Sequence, residues 1–93
     1  MIHLILDGAL GMDAIHDRVA RELHFPRWYG RNLDALYDCL TEVPEDVRLV
    51  LINREALGAR GEALLHTILD AARCNPHLLP DIHPEAENTA FFD

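Results

Sequence analysis

Val47-Arg48-Leu49-Val50-Leu51-Ile52 is a β-rich apolar run broken by one arginine, and the rest of the chain is read outward from it. A run this short and this nearly continuous, rather than alternating, suits a strand buried on both faces. A second such run, Ile2-His3-Leu4-Ile5-Leu6, is stopped by Asp7-Gly8. Helical signals lie between the two. Asp13 is placed to cap a helix whose Ile15, Val19 and Leu23 recur at i, i+4 and i+8, with Pro26 to end it, and a second helix opens at Asn32. Beyond the central run, residues 55–57 suggest a short helical turn. Leu64, Leu65, Ile68, Leu69 and Ala72 then mark a longer helix over about 61–74, closed by Asn75-Pro76. Strands separated by helices imply βαβ units, hence an α/β fold around a small parallel sheet.

The third strand is the weak point of this reading. Residues 77–83, His-Leu-Leu-Pro-Asp-Ile-His, make a poor strand because Pro80 has no N–H for a ladder, which confines any strand there to an edge. Residues 1–83 read as one domain. Residues 84–93 read as a C-terminal tail, polar until Ala90-Phe91-Phe92, either mobile or clipped onto the body through the two phenylalanines.

Sixteen acidic side chains stand against eight arginines and no lysine, a formal charge of −8. Such a field repels a polyanion, which argues against a nucleic-acid binder, and attracts a basic partner. No stretch approaches the length of a membrane span, and the N-terminal apolar run is too short and lacks the basic flank of a signal peptide. A soluble, cytoplasmic protein is expected. Cys39 and Cys74 are too few for a disulfide framework and have no metal-site spacing, so reduced thiols are the simplest reading.

Residues 25–41 carry the most chemistry. Advancing about 100° per residue from Leu33 puts Leu36 and Leu40 at roughly 300° and 340°, one core face. Asp34, Thr41 and Asp38 fall at roughly 100°, 80° and 140°, an acidic face, with Tyr37 on the border at roughly 40°. Asp34 also lies in the first turn, where the helix dipole favours an anion. Before this helix, Trp28-Tyr29-Gly30 sits between Pro26 and Asn32 and reads as a loop. Exposed aromatics beside paired carboxylates on a rigid helix make a protein-recognition patch; the plainer alternative is that the aromatics cover the core and the carboxylates form a solvated face.

The run Phe25-Pro26-Arg27-Trp28-Tyr29-Gly30-Arg31-Asn32-Leu33-Asp34-Ala35-Leu36-Tyr37-Asp38-Cys39-Leu40-Thr41 closely resembles the barstar family of intracellular ribonuclease inhibitors. It repeats in order, without a gap, the family pattern of Pro, two aromatics, Gly, Asn-Leu-Asp-Ala-Leu, an aromatic and Asp-Cys-Leu-Thr. The resemblance continues more weakly over most of residues 1–76. It implies a three-stranded parallel sheet packed with three to four helices, in agreement with the periodicity. It also implies a partner-binding site. Trp28 stands where the family has tyrosine, and Asp34, Tyr37 and Asp38 lie on the inhibitory helix. Asp38 is the central anion, entering a ribonuclease active site in the place of a substrate phosphate. Thr41 follows on the same face, and Asp70 on the long helix aligns with a family glutamate, a shorter acidic arm. The implied protein is a monomer that blocks one basic, secreted-type, barnase-like ribonuclease in a 1:1 complex, with no cofactor, no metal and no catalytic residue of its own.

The chain departs from the family at Glu42-Val43-Pro44-Glu45, where a Gly-Trp pair is lacking, at Cys74, and around Pro80, where the final strand is normally a clean β-rich run. Two other classes of function remain. One is an immunity-type domain that uses the same helix against a different basic toxin nuclease. The other is an enzyme or metal protein built on Asp34, Asp38, His66 and Asp70. His66 and Asp70 are i,i+4, but no third ligand, phosphate loop or nucleophile motif accompanies them.

Overall fold

The computed structural model describes residues 1–83; the tail reading at 84–93, with its choice between a free and a clipped segment, lies outside the described residues. Three strands form one parallel sheet in the order β1-β2-β3: β1 is Ile2–Asp7, β2 is Val47–Ile52 and β3 is Leu78–Ile82. Between them run α1, Met12–Glu22, α2, Leu33–Thr41, and α3, Ala59–Cys74. Two 3-10 turns, Gly8–Leu10 and Arg54–Leu57, follow β1 and β2.

β2 lies between the other two, with Leu4 opposite Leu49 and Leu6 opposite Leu51. Among the described residues only one face of the sheet is covered, however. Leu4, Leu6, Val47, Leu49, Leu51 and Leu78 point into the core, whereas His3, Ile5, Arg48 and Leu79 on the other face are exposed, Ile5 by 48%. The expectation of strands buried on both faces is therefore corrected. The open face carries the exposed Ile5 and Leu79 on the outer strands and the part-buried Val50 and Ile52 on β2, alternating with the core set at the two-residue period of a strand.

β3 exists and is an edge strand, as Pro80 demands. Pro80 lies opposite Leu49, and Arg48 ties the strand down by donating to Asp81 at 2.7 and 3.1 Å. That guanidinium holds the Asp81 carboxyl below its ordinary range.

α1 packs Ile15 and Val19 into the core. Its start differs from the expected cap: Gly11, at φ 92°, occupies the capping position and Asp13 lies in the first turn, contributing its charge to the dipole but no capping bond. α3 starts two residues before Gly61, and its Gly61 is buried against the turn after β2. A Cβ there would stand 2.2 Å from the Arg54 carbonyl oxygen. Leu36 and Leu40 of α2 and Leu64 and Ile68 of α3 are wholly buried. Each such side chain contributes about 1.5–3 kcal/mol by leaving water. α2 is thus clamped along one side and free along the other.

Candidate functional site

The loop before α2 is shaped by what its neighbours can bury. Tyr29 turns inward, only 8% exposed, and its ring packs edge-on against Phe25 at 5.0 Å. Its hydroxyl meets Nδ1 of the buried His16 at 2.6 Å. Burial pushes the Tyr29 phenol up to about 12 and lowers the His16 imidazole, the latter helped by the nearby Arg31 cation. Neutral partners follow, and the bond between them runs from the phenol to Nδ1 or from Nδ1–H to the phenol oxygen according to the imidazole tautomer. Trp28, next in line, is left 78% exposed. The two aromatics of the recognition patch expected from sequence therefore divide: Tyr29 is a core residue and Trp28 a surface one.

Arg31, with a left-handed φ of 56°, turns back onto α1, where its guanidinium bonds the Asp17 carboxylate and the Asp13 carbonyl. The chain then enters α2 through Asn32, whose Oδ1 accepts from the Ala35 N–H at 2.8 Å. The helix begins where the sequence placed it.

The free side of α2 presents Asp34 in its first turn and Asp38 one turn later, both exposed and, among the described residues, without an ion-pair partner. Thr41 is half-buried, its hydroxyl donating to the Asp38 carbonyl at 2.8 Å. Its proton is thereby spent within the helix. Trp28, Asp38 and Thr41 meet around a cleft of about 430 Å³, whose walls also include Gly30, Cys39 and Glu42.

Tyr37 and Asp70 form the other shoulder of the face. The Tyr37 hydroxyl lies 3.2 Å from the Cys74 sulfur at the end of α3, and this bond raises its phenol, with the Asp70 and Asp38 charges adding to the effect. Asp70 is exposed but not free: Arg73 donates to it at 3.2 Å. An exposed i,i+3 pair is worth only a few tenths of a kcal/mol, so it weakens without removing the acidic contact.

The structure thus brings Trp28, Asp38 and Thr41 together at the cleft and Tyr37 close to Asp70 and Asp38, while Asp34, exposed one turn earlier on α2, belongs to neither group. Reasoning from sequence missed four participants. Glu42 closes the cleft, and Cys74 and Arg73 engage Tyr37 and Asp70. Asn75, read only as a helix stop, is 4% exposed and bridges the end of α3 to the end of α2: its Nδ2 donates to the carbonyls of Leu40 and Val43 at 2.9 and 3.0 Å. A polar residue at a helix end whose neighbours are apolar was the only signal for it. Among the described residues no three His, Cys, Asp or Glu side chains gather as a metal-ligand set, and no helix is long and apolar enough to cross a membrane.

Comparison with known proteins matches residues 1–79 to the family described as Barstar (barnase inhibitor). The chain is also similar to a Bacillus subtilis (strain 168) protein named "Putative ribonuclease inhibitor YrdF". The two are 41% identical over 78 residues, covering 76% of this chain and 86% of that protein.

Proposed function

The chain belongs to the barstar family, and from that premise we propose that it inhibits a basic, secreted-type ribonuclease by laying the outer side of α2 across the enzyme's active site. The observation that carries the reading is the exposure of Asp34 and Asp38 on a helix whose opposite side is locked into the core. A carboxylate held on such a helix is fixed before binding, so docking loses little further side-chain freedom.

A ribonuclease active site holds cations that stabilise the phosphate of RNA. Asp38, in the middle of the exposed side, is the anion that meets them in the place of that phosphate. Asp34 lies one turn toward the N-terminus, Trp28 covers the flank beyond the loop, and Tyr37, Thr41 and Asp70 complete the contact. The net charge of −8 supplies the long-range attraction to a basic enzyme. Barnase with its barstar inhibitor is the standard example of such steering and of hot-spot carboxylates, so the pattern is familiar. In the cytoplasm the complex protects the producing cell, with one inhibitor per enzyme and no cofactor.

The test is a titration of barnase and a panel of other basic bacterial ribonucleases with the parent protein, Asp38→Ala and Asp70→Ala. Stoichiometric loss of RNA cleavage with the parent is expected. Asp38→Ala loses the most affinity because it strands the enzyme's buried cations, and Asp70→Ala, already paired with Arg73, loses the least. Full activity of every ribonuclease in molar excess of the parent contradicts the reading. Tight binding to a nuclease of another chemistry would then favour the immunity-type alternative.

A further inference from the structure

Glu42 occupies a position that the free protein does nothing to support. It caps the C-terminus of α2, where the helix dipole disfavours an anion, and it follows Asp38 by four residues, a like-charge spacing that also destabilises. Both carboxylates act on Cys39, whose thiol is pushed up by burial first and by Glu42 and Asp38 after it. Among the described residues neither carboxylate has a cation beside it. Glu42 nonetheless lines the cleft of about 430 Å³ shared by Trp28, Asp38 and Thr41, and also a groove of about 210 Å³ running beside Trp28 over Phe25 and Pro26. Across the cleft stands the exposed indole of Trp28, on which no other aromatic ring stacks among the described residues.

Two unpaired carboxylates and an uncovered indole around one opening match a planar cation. A guanidinium stacks on an aromatic face and forks onto carboxylates, whereas an ammonium meets the charge but not the plane. We propose that this cleft receives an arginine side chain of the bound ribonuclease and that Glu42 is the specificity-determining contact that selects it. The proposal rests on the inhibitor reading above and adds to it a residue and a side-chain class.

The experiment uses a ribonuclease that the parent inhibits, together with alanine variants of the arginines, lysines and histidines around its active site. Inhibition constants on the unmodified enzyme, dissociation constants on every enzyme variant, and unfolding curves are measured for the parent, Glu42→Gln and, as a control of equal charge change outside the cleft, Glu45→Gln. Glu42→Gln is expected to weaken inhibition about tenfold while leaving the fold as stable as the parent or more so, because the anion has left the helix C-terminus. Glu45→Gln is expected to change inhibition less than about twofold. One arginine variant of the enzyme should make Glu42→Gln silent. The chain has a single tryptophan, so 5-fluorotryptophan labelling gives one resonance that reports the cleft directly. It should shift on complex formation, and shift less with that same arginine variant. The proposal is overturned if Glu42→Gln inhibits like the parent, if Glu45→Gln loses as much, or if the coupled enzyme residue is a lysine or histidine. Failure of the parent to inhibit any ribonuclease overturns the inhibitor reading itself, and this is seen in the parent's own titration before any variant is compared.

Discussion

Replacing Asn75 by alanine removes the bracket that fixes the far end of α2. Three bonds disappear: two donated to the Leu40 and Val43 carbonyls, and one accepted from the His77 N–H at 3.0 Å. Leu40 and Val43 are 1% and 6% exposed, so water does not readily replace the lost donors. Each typical bond contributes about 0.5–1.5 kcal/mol, and a buried group left unsatisfied costs about 1–3 kcal/mol, so the total comes to about 2–4 kcal/mol. For a domain of this size that lowers the melting temperature by roughly 10–25 °C. Asn75→Asp is expected to be worse, because it sets a buried carboxylate against two carbonyl oxygens. Urea unfolding of parent and variants, followed by circular dichroism, measures both. A loss under about 1 kcal/mol for Asn75→Ala would show that the turn after α2 is held by apolar packing alone, and the bracket would carry no weight.

Other consequences are equally open to measurement. Gly61→Ala, which by helix propensity should stabilise α3, is expected instead to destabilise by about 1–3 kcal/mol, because the added methyl meets the Arg54 carbonyl; thermal unfolding gives the sign directly. His16 is buried as the neutral base, with its folded pKa below the ordinary 6.5. Its contribution is therefore fully present above that value and is lost as pH falls from there toward the depressed folded value, so His16→Gln should flatten the parent's stability profile over that interval. An unchanged slope would contradict this. Association with a basic ribonuclease should slow steeply with added salt while dissociation changes little, since the charge of −8 acts over a Debye length of about 8 Å near physiological ionic strength. Stopped-flow rates at two ionic strengths decide it.

The parts of the fold that were legible in the sequence are those where one physical demand fixes the residue. Val47–Ile52 announced a strand because so short and β-rich an apolar run suits one, while its place at the centre of the sheet came only from the fold. Asn32 announced the start of α2 because its side chain caps the helix, and Leu36 and Leu40 fixed which side faces the core. Pro80 correctly implied an edge. What failed depended on tertiary partners. The open face of the sheet was not legible, since Ile5 reads as core from composition and is exposed because, among the described residues, no helix crosses that side. Nor was the division of Trp28 from Tyr29, which turns on a hydroxyl reaching His16 thirteen residues away. At the site, the acidic side of α2 followed from helical spacing. Cys74, Glu42 and Asn75 did not, because each acts across a gap between elements that no local pattern encodes.

The central claim is that α2 occupies the place of RNA in a ribonuclease active site, and it is tested most directly by competition. A nucleotide whose phosphate sits in the active site of the ribonuclease should raise the apparent dissociation constant of the parent protein linearly with nucleotide concentration, by one plus the ratio of that concentration to the nucleotide's own dissociation constant. Asp38→Ala should bind far more weakly. A parent protein that binds equally tightly with the nucleotide in place, or an Asp38→Ala variant that remains folded and binds like the parent, would contradict the account.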